Sequence, residues 1–166
     1  MIIIGDDLIP FEELNLINSI EDIKNTKANS ALLFFYNEEL LKYCFKNELT
    51  SAVVVKSIKE AIYCNSLNAK YIICEKKLAK KLQKIADNYM YDSKILAIIK
   101  SNDELENIAK NEIDGVIYTV DTSIYNYSDE NLEKENIVKK VYVKVDYTLN
   151  GSPYNFELNT LKGKGR

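Results

Sequence analysis

Polar residues that follow short apolar runs are the part of this chain whose types and spacing could support binding or chemistry. These residues are Asp6, Asp7, Asn37, Lys56, Ser57, Glu75, Lys100, Ser101, Asp121 and Thr122. Ligands of parallel sheets bind beyond the carboxyl ends of the strands, so we expect these residues to share one rim. Lys56 and Lys100, helped by helices that start at Ser57 and Ser101, would bind a small anionic ligand. Carboxylate oxygens there could also hold Mg²⁺, at Asp6 and Asp7 with Asp121 nearby.

The same residues also have a purely structural interpretation. Polar residues stand wherever strands end, and Ser57 and Ser101 are each followed three residues later by a glutamate, which is typical of a capping box. Lys56 would act as a Schiff-base nucleophile only if it were buried with a lowered pKa. Asp6 and Asp7 are consecutive, so in extended chain they point in opposite directions and a solvated turn is the simpler reading.

Missing residue types restrict the possible chemistry. The chain has no His and no Trp, and its single Arg is the last residue, Arg166. This composition removes the usual general base near neutral pH and any internal guanidinium for bidentate anion binding. No Gly-rich phosphate loop and no metal-ligating Cys or His spacing occurs. We therefore assign no catalytic residue and no cofactor, and favour a non-catalytic binding or interaction protein over an enzyme.

Three cysteines and the overall charge indicate the compartment. Cys44, Cys64 and Cys74 each lie in an apolar periodic segment, which predicts buried, reduced thiols in a cytoplasmic protein. The apolar runs are too short to span a membrane, and the first residues lack the features of a signal peptide. The net charge of -3 gives no global reason to expect nucleic acid or an anionic membrane as a partner.

One lysine-rich segment is an exception to that charge balance. Its lysines are Lys76, Lys77, Lys80, Lys81 and Lys84. They could contact nucleic acid or an acidic partner. A solvated face of an amphipathic helix is the reading that we favour, because the apolar residues between them lie on the opposite face.

The hydrophobic pattern predicts one α/β domain over residues 1–121. Six short apolar runs, at residues 2–4, 31–36, 52–55, 71–74, 95–99 and 116–120, alternate with amphipathic helical stretches. Continuous apolar runs are typical of strands that are covered on both faces. We therefore expect a three-layer fold with a mainly parallel sheet of five to six strands and flanking helices.

Two stretches of the chain resemble each other at an offset of 44 residues. Residues 53–60 match residues 97–104, and residues 71–74 then align with residues 115–118 without a gap. Each stretch is read as a strand, a lysine, a helix and a second strand. The similarity reflects either a general likeness of βα units or a duplication.

The C-terminal part has a different pattern. Residues 122–137 are predicted to be a polar linker, and residues 138–161 an antiparallel β-hairpin that alternates strictly and turns at Asn150-Gly151. Residues 162–166 are predicted to be a mobile tail. A lone hairpin is marginally stable, so it must pack on the α/β domain, which we favour, or on a second chain to form a homo-oligomer.

Three segments carry a resemblance to known proteins. Residues 57–62, 68–73 and 113–117 look like βα units of (βα)-barrel and Rossmann-like proteins. Over about residues 1–120 the chain resembles small uncharacterised conserved α/β proteins of epsilon-proteobacteria. That family implies no activity and assigns no site residue. Three functions therefore stay open: a binding protein for a small anion at the strand ends, an enzyme on a phosphorylated or carboxylated metabolite that uses Lys, Asp or Mg²⁺, and a structural oligomer assembled through the hairpin.

Overall fold

The computed structural model describes residues 1–118, which form a curled, entirely parallel sheet of seven strands. The strands are β1 (Ile2–Ile4), β2 (Leu14–Leu16), β3 (Ala31–Phe35), β4 (Ser51–Val54), β5 (Tyr71–Glu75), β6 (Lys94–Ile99) and β7 (Gly115–Tyr118). Their order across the sheet is β1-β7-β6-β5-β4-β3-β2. The predicted α/β class and parallel sheet are confirmed, and the predicted number of strands is too low.

Four α-helices connect the later strands. They are α1 (Glu38–Lys46), α2 (Ile58–Ser66), α3 (Lys76–Tyr89) and α4 (Leu105–Lys110), with short 3₁₀ helices at Glu21–Asn25 and Asn102–Glu104. The side chain of Asn37 accepts the N–H of Leu40 and so starts α1, as Ser57 does for α2. The helix α3 ends at Met90, which has left-handed backbone angles.

The described α-helices pack on one face of the sheet. Their buried apolar residues, among them Leu41, Cys64 and Leu82, all belong to one core cluster with the strand residues beneath them. The opposite cluster consists of strand residues and Phe11 of the β1–β2 connection, and no helix contributes to it. We call this second side the helix-free face. The side chains of this cluster are buried, and no described helix packs against them. The predicted three-layer arrangement is thus corrected to two layers for residues 1–118.

The strand absent from the prediction is β2. It contains only Leu14, Asn15 and Leu16 and pairs with β3 at the edge of the sheet. Three residues with a polar one in the middle do not make a recognisable apolar run, so pairing with β3 defines this strand.

Several βα units share one geometry. Glu48, Asn68 and Glu112 have φ of 52°, 57° and 56° just after α1, α2 and α4. In each case the next residue donates its N–H to the carbonyl five residues earlier, for example from Ala69 to Cys64 at 2.9 Å. Helix α2 also has its counterpart 44 residues later, in the 3₁₀ helix plus α4. The similarity seen in the sequence therefore corresponds to equivalent elements.

Several predictions lie outside the described residues. They are the linker at 122–137, the hairpin at 138–161, the tail at 162–166 and the candidate ligand residue Asp121.

Candidate functional site

Glu75 projects from the helix-free face at the end of β5. Its predecessor Cys74 belongs to the cluster under the helices, and Ile73 belongs to the helix-free cluster. Side chains alternate along a strand, so Glu75 lies on the same side as Ile73. It is exposed, at the end of the sheet where all seven strands finish. We call this end the carboxyl rim.

Lys56 and Lys100 lie at the same rim, after the two strands that flank β5. Val55 and Ile99 precede them and lie in the cluster under the helices. Lys56 and Lys100 lie in bends just beyond the ends of β4 and β6, and both are exposed. No carboxylate of residues 1–118 forms an ion pair with either ammonium group.

The pairing of the strands brings these three residues to one part of the rim. β5 lies between β4 and β6, and all three run in the same direction. On one side of β5, Val54 pairs with Ile73, so Lys56 is level with Glu75. On the other side, Glu75 pairs with Ile98, so Lys100 lies two residues beyond the level of Glu75. Neighbouring strands are about 4.8 Å apart, so the backbones of the two lysines are separated by about 10 Å across the sheet.

The loops that carry the two lysines are held in the same way. The N–H of Lys56 donates to the carboxylate of Glu60 at 2.7 Å, and the N–H of Lys100 donates to Glu104 at 2.8 Å. The hydroxyl of Ser57 accepts the N–H of Glu60, as predicted for a cap. Ser101 makes no side-chain cap bond. Glu60 accepts the N–H of Lys56, and Glu104 accepts the N–H groups of both Lys100 and Ser101.

Glu104 is an anionic anchor of the second loop. Partial burial by itself would raise the pKa of this carboxyl, but hydrogen bonds from Lys76 and from the N–H of Lys100 outweigh that effect and lower the pKa. The carboxylate is therefore charged at neutral pH and holds the β6–α4 loop against the start of α3. Ser57 and Glu60 have the corresponding structural role at the β4–α2 loop.

Asp6 and Asp7 lie beside a different cavity, at the ends of β1 and β7. Its volume is about 280 Å³, and its lining residues are Gly5, Asp6, Asp7, Leu8, Asn102 and Tyr118. Asp6 accepts the N–H of Leu8 at 2.8 Å, and the buried hydroxyl of Tyr118 donates to Asn102. Burial raises the pKa of Tyr118, and the charge of Asp6 adds to this effect. Within residues 1–118, no group of three or more Cys, Asp or Glu side chains is arranged to hold a metal ion. The magnesium site predicted at Asp6 and Asp7 therefore has no support from these residues.

A larger groove separates α3 from α4. It has a volume of about 480 Å³, and its lining residues are Lys76, Lys77, Lys80, Asp103, Glu104, Asn107, Ile108, Asn111 and Ile113. The sequence pattern singled out the lysines but not the asparagines on the other wall. The sequence could not predict this wall, because the asparagines face the lysines only when α4 lies beside α3 in the folded protein.

Another polar cluster at the opposite end of the sheet was not anticipated. The carboxylate of Glu12 accepts the hydroxyl of Tyr71 at 2.9 Å and the ammonium group of Lys70 at 2.7 Å. Glu12 precedes β2, whereas Tyr71 starts β5. The cluster ties the β1–β2 connection to the middle of the sheet and is structural.

The cysteines are buried, free thiols, as predicted. Burial raises the pKa of Cys44 to about 11 and the pKa values of Cys64 and Cys74 to about 12. Thiols with such pKa values are protonated at neutral pH, so these cysteines are poor nucleophiles.

Comparison with known proteins adds no assignment. Among residues 1–118, no helix combines the length and the apolar character needed to cross a membrane. The sequence matches no protein-family model and no curated protein.

Proposed function

We propose that this chain is a non-catalytic binding protein for a small anionic molecule, which it takes at the carboxyl rim through Lys56 and Lys100. One observation supports the proposal: β4 and β6, the two parallel neighbours of β5, end just before Lys56 and Lys100, so both exposed lysines lie at one rim. Ligand sites of parallel sheets occupy this end of the strands.

The charges at the rim favour a carboxylate or a phosphate as the bound group. Lys56 and Lys100 flank Glu75, and neither lysine forms an ion pair within residues 1–118, while the carboxylates of Glu60 and Glu104 accept the backbone N–H groups of the two lysines. A lysine side chain extends about 6 Å, so both ammonium groups can reach one ligand across the estimated 10 Å. Glu75 is then placed to accept a hydroxyl or an ammonium group of the same molecule.

Several features support binding rather than catalysis. The chain has no histidine, and its thiols are buried with raised pKa values. Lys56 and Lys100 are exposed, whereas a nucleophilic lysine requires a desolvated environment. No observation favours the enzyme alternative, and the hairpin needed for the oligomer alternative is outside the described residues.

Thermal stability and calorimetry with inorganic pyrophosphate and citrate test the proposal. Each variant Lys56→Ala and Lys100→Ala should bind about tenfold more weakly, because a hydrogen bond to a charged group contributes about 1.5–3 kcal/mol. Lys94→Ala is the matched control, since Lys94 is exposed and begins β6 at the opposite end of the same strand.

The expected result is a ligand-dependent rise in melting temperature for the wild type and for Lys94→Ala, because ligands that bind the folded state stabilise it. Two outcomes would contradict the proposal. One is the absence of a shift with either anion, and the other is an equal loss of affinity in all three variants.

A further inference from the structure

Helix α3 carries unusually many unpaired cations. Its lysines Lys76, Lys77, Lys80, Lys81 and Lys84 are all exposed, while Leu82 and Ala86 face the core. Within residues 1–118 only Lys76 pairs with a carboxylate, that of Glu104. The first turn contains no acidic residue, in contrast to α1 and α2. The helix therefore presents a cationic face on which four of the five lysines form no ion pair within residues 1–118.

This cationic face borders the groove between α3 and α4. Lys77 and Lys80 form one wall, and Asn107 and Asn111 form the other. The amide of Asn111 donates to the backbone carbonyl and the side-chain oxygen of Asn107, at 2.7 and 2.9 Å. These two bonds hold the two amides of this wall together.

We propose that the α3–α4 groove binds an extended, acidic segment of a partner protein. Charge complementarity supports this partner, because Lys77 and Lys80 have no ion pair within residues 1–118. Helix residues three apart have Cβ atoms about 5–6 Å apart. Alternate residues of an extended peptide are about 6.5–7 Å apart on one side, so a Glu-x-Glu sequence can pair with both lysines. The asparagine wall supplies amides that can bind the peptide backbone.

The lining of the groove favours a peptide over nucleic acid. None of the groove residues is aromatic or Arg, the types that stack on bases or grip phosphates. Asp103 and Glu104 also line the groove. A peptide can place an uncharged residue beside them, whereas a continuous phosphate backbone cannot avoid their charge.

Fluorescence anisotropy with a labelled peptide of alternating glutamate and glycine tests this proposal on the full chain. The double variant Lys77→Ala/Lys80→Ala should bind about tenfold more weakly, because it removes two ion pairs at the groove. The matched control is Lys42→Ala/Lys46→Ala, which removes two exposed lysines one turn apart on α1. It makes the same change in net charge and should weaken binding less than about twofold. Circular dichroism confirms that both double variants are folded.

Four results would overturn the proposal. The first is that the wild type fails to bind the peptide, and the second is that both double variants lose the same affinity for it. A single-stranded oligonucleotide of equal charge binds more tightly and loses affinity in Lys77→Ala/Lys80→Ala, which identifies a nucleic-acid surface. Light scattering shows a wild-type dimer that this variant dissolves, which identifies a second copy of the chain as the occupant. This proposal depends on Lys77 and Lys80, whereas the proposed function depends on Lys56 and Lys100, so either can fail alone.

Discussion

The substitution Gly115→Ala tests the packing of β7 against its neighbours β1 and β6. Gly115 begins β7 and pairs with Ile2 of β1 on one side and Leu96 of β6 on the other. A Cβ atom there would lie 2.4 Å from the carbonyl oxygen of Ile2, 2.7 Å from its Cβ and 2.8 Å from Cδ2 of Leu96. The clash can be relieved only if the backbone of β1 moves, because rotation of the Leu96 side chain does not change the contact between the new Cβ atom and the carbonyl oxygen of Ile2.

The expected loss of stability is at the upper end of the range for overpacking, about 3 kcal/mol. For a chain of this length that loss lowers the melting temperature by about 6–12 °C. Urea unfolding followed by circular dichroism measures the free energy, and thermal melting gives an independent estimate. The parent and Gly115→Ala should both unfold in one transition of the described domain.

The double variant Gly115→Ala/Leu96→Ala distinguishes the two sources of the clash. Leu96→Ala alone costs about 2–5 kcal/mol because it opens a cavity in the core. If the backbone of β1 limits the packing, Gly115→Ala should remain costly in that background. A loss below about 0.5 kcal/mol for Gly115→Ala in the wild type would refute the β1–β7 register described above.

Two further predictions concern titratable groups. In the folded protein, a thiol reagent at pH 8 should not react with Cys44, Cys64 or Cys74, because burial raises their pKa values to about 11, 12 and 12. After unfolding in guanidinium, three thiols should react. Rapid reaction of any thiol without denaturant would contradict the burial. Glu104→Gln should reduce the free energy of unfolding at pH 7, and the reduction should become smaller as the pH is lowered. The reason is that the pKa of Glu104 in the folded protein lies below its usual value of 4.5. Such a carboxyl stabilises the fold above pH 4.5, and this stabilisation is lost as the pH falls through the folded pKa. Urea unfolding of both proteins between pH 3 and 7 measures this difference, and a constant difference would show that the charge of Glu104 is not responsible.

Local patterns predicted most of the strands because buried parallel strands are continuous apolar runs. Residues 71–74 and 95–99 illustrate this, since they fall within β5 and β6. The same patterns could not find β2, whose three residues become a strand only by pairing with β3. They also suggested helices on both faces of the sheet. A run that is apolar on both sides is compatible with a second helix layer or with a curled sheet that covers its own inner face, and periodicity does not distinguish the two.

Part of the candidate rim site could likewise be predicted from local patterns, and part depended on contacts between distant residues. The ends of the apolar runs located Lys56, Glu75 and Lys100 at strand ends, and the Ser-x-x-Glu spacing indicated the start of the helix after Lys56. Pairing decided that β5 separates the two lysine strands and that Lys56 is level with Glu75. The groove depended on tertiary structure even more, because Asn107 and Asn111 face Lys77 and Lys80 only after α4 packs beside α3.

The amino-acid sequence by itself therefore located six of the seven described strands to within a few residues, indicated that the three cysteines are buried, and limited the possible chemistry through the lack of histidine and internal arginine. These properties depend on composition and on hydrophobic periods of a few residues. Tertiary structure decided the curl of the sheet, the single helix layer within residues 1–118 and the neighbours of each lysine in that part of the chain. The reason is that strand order and register are set by contacts between residues far apart in the chain, which no short pattern contains.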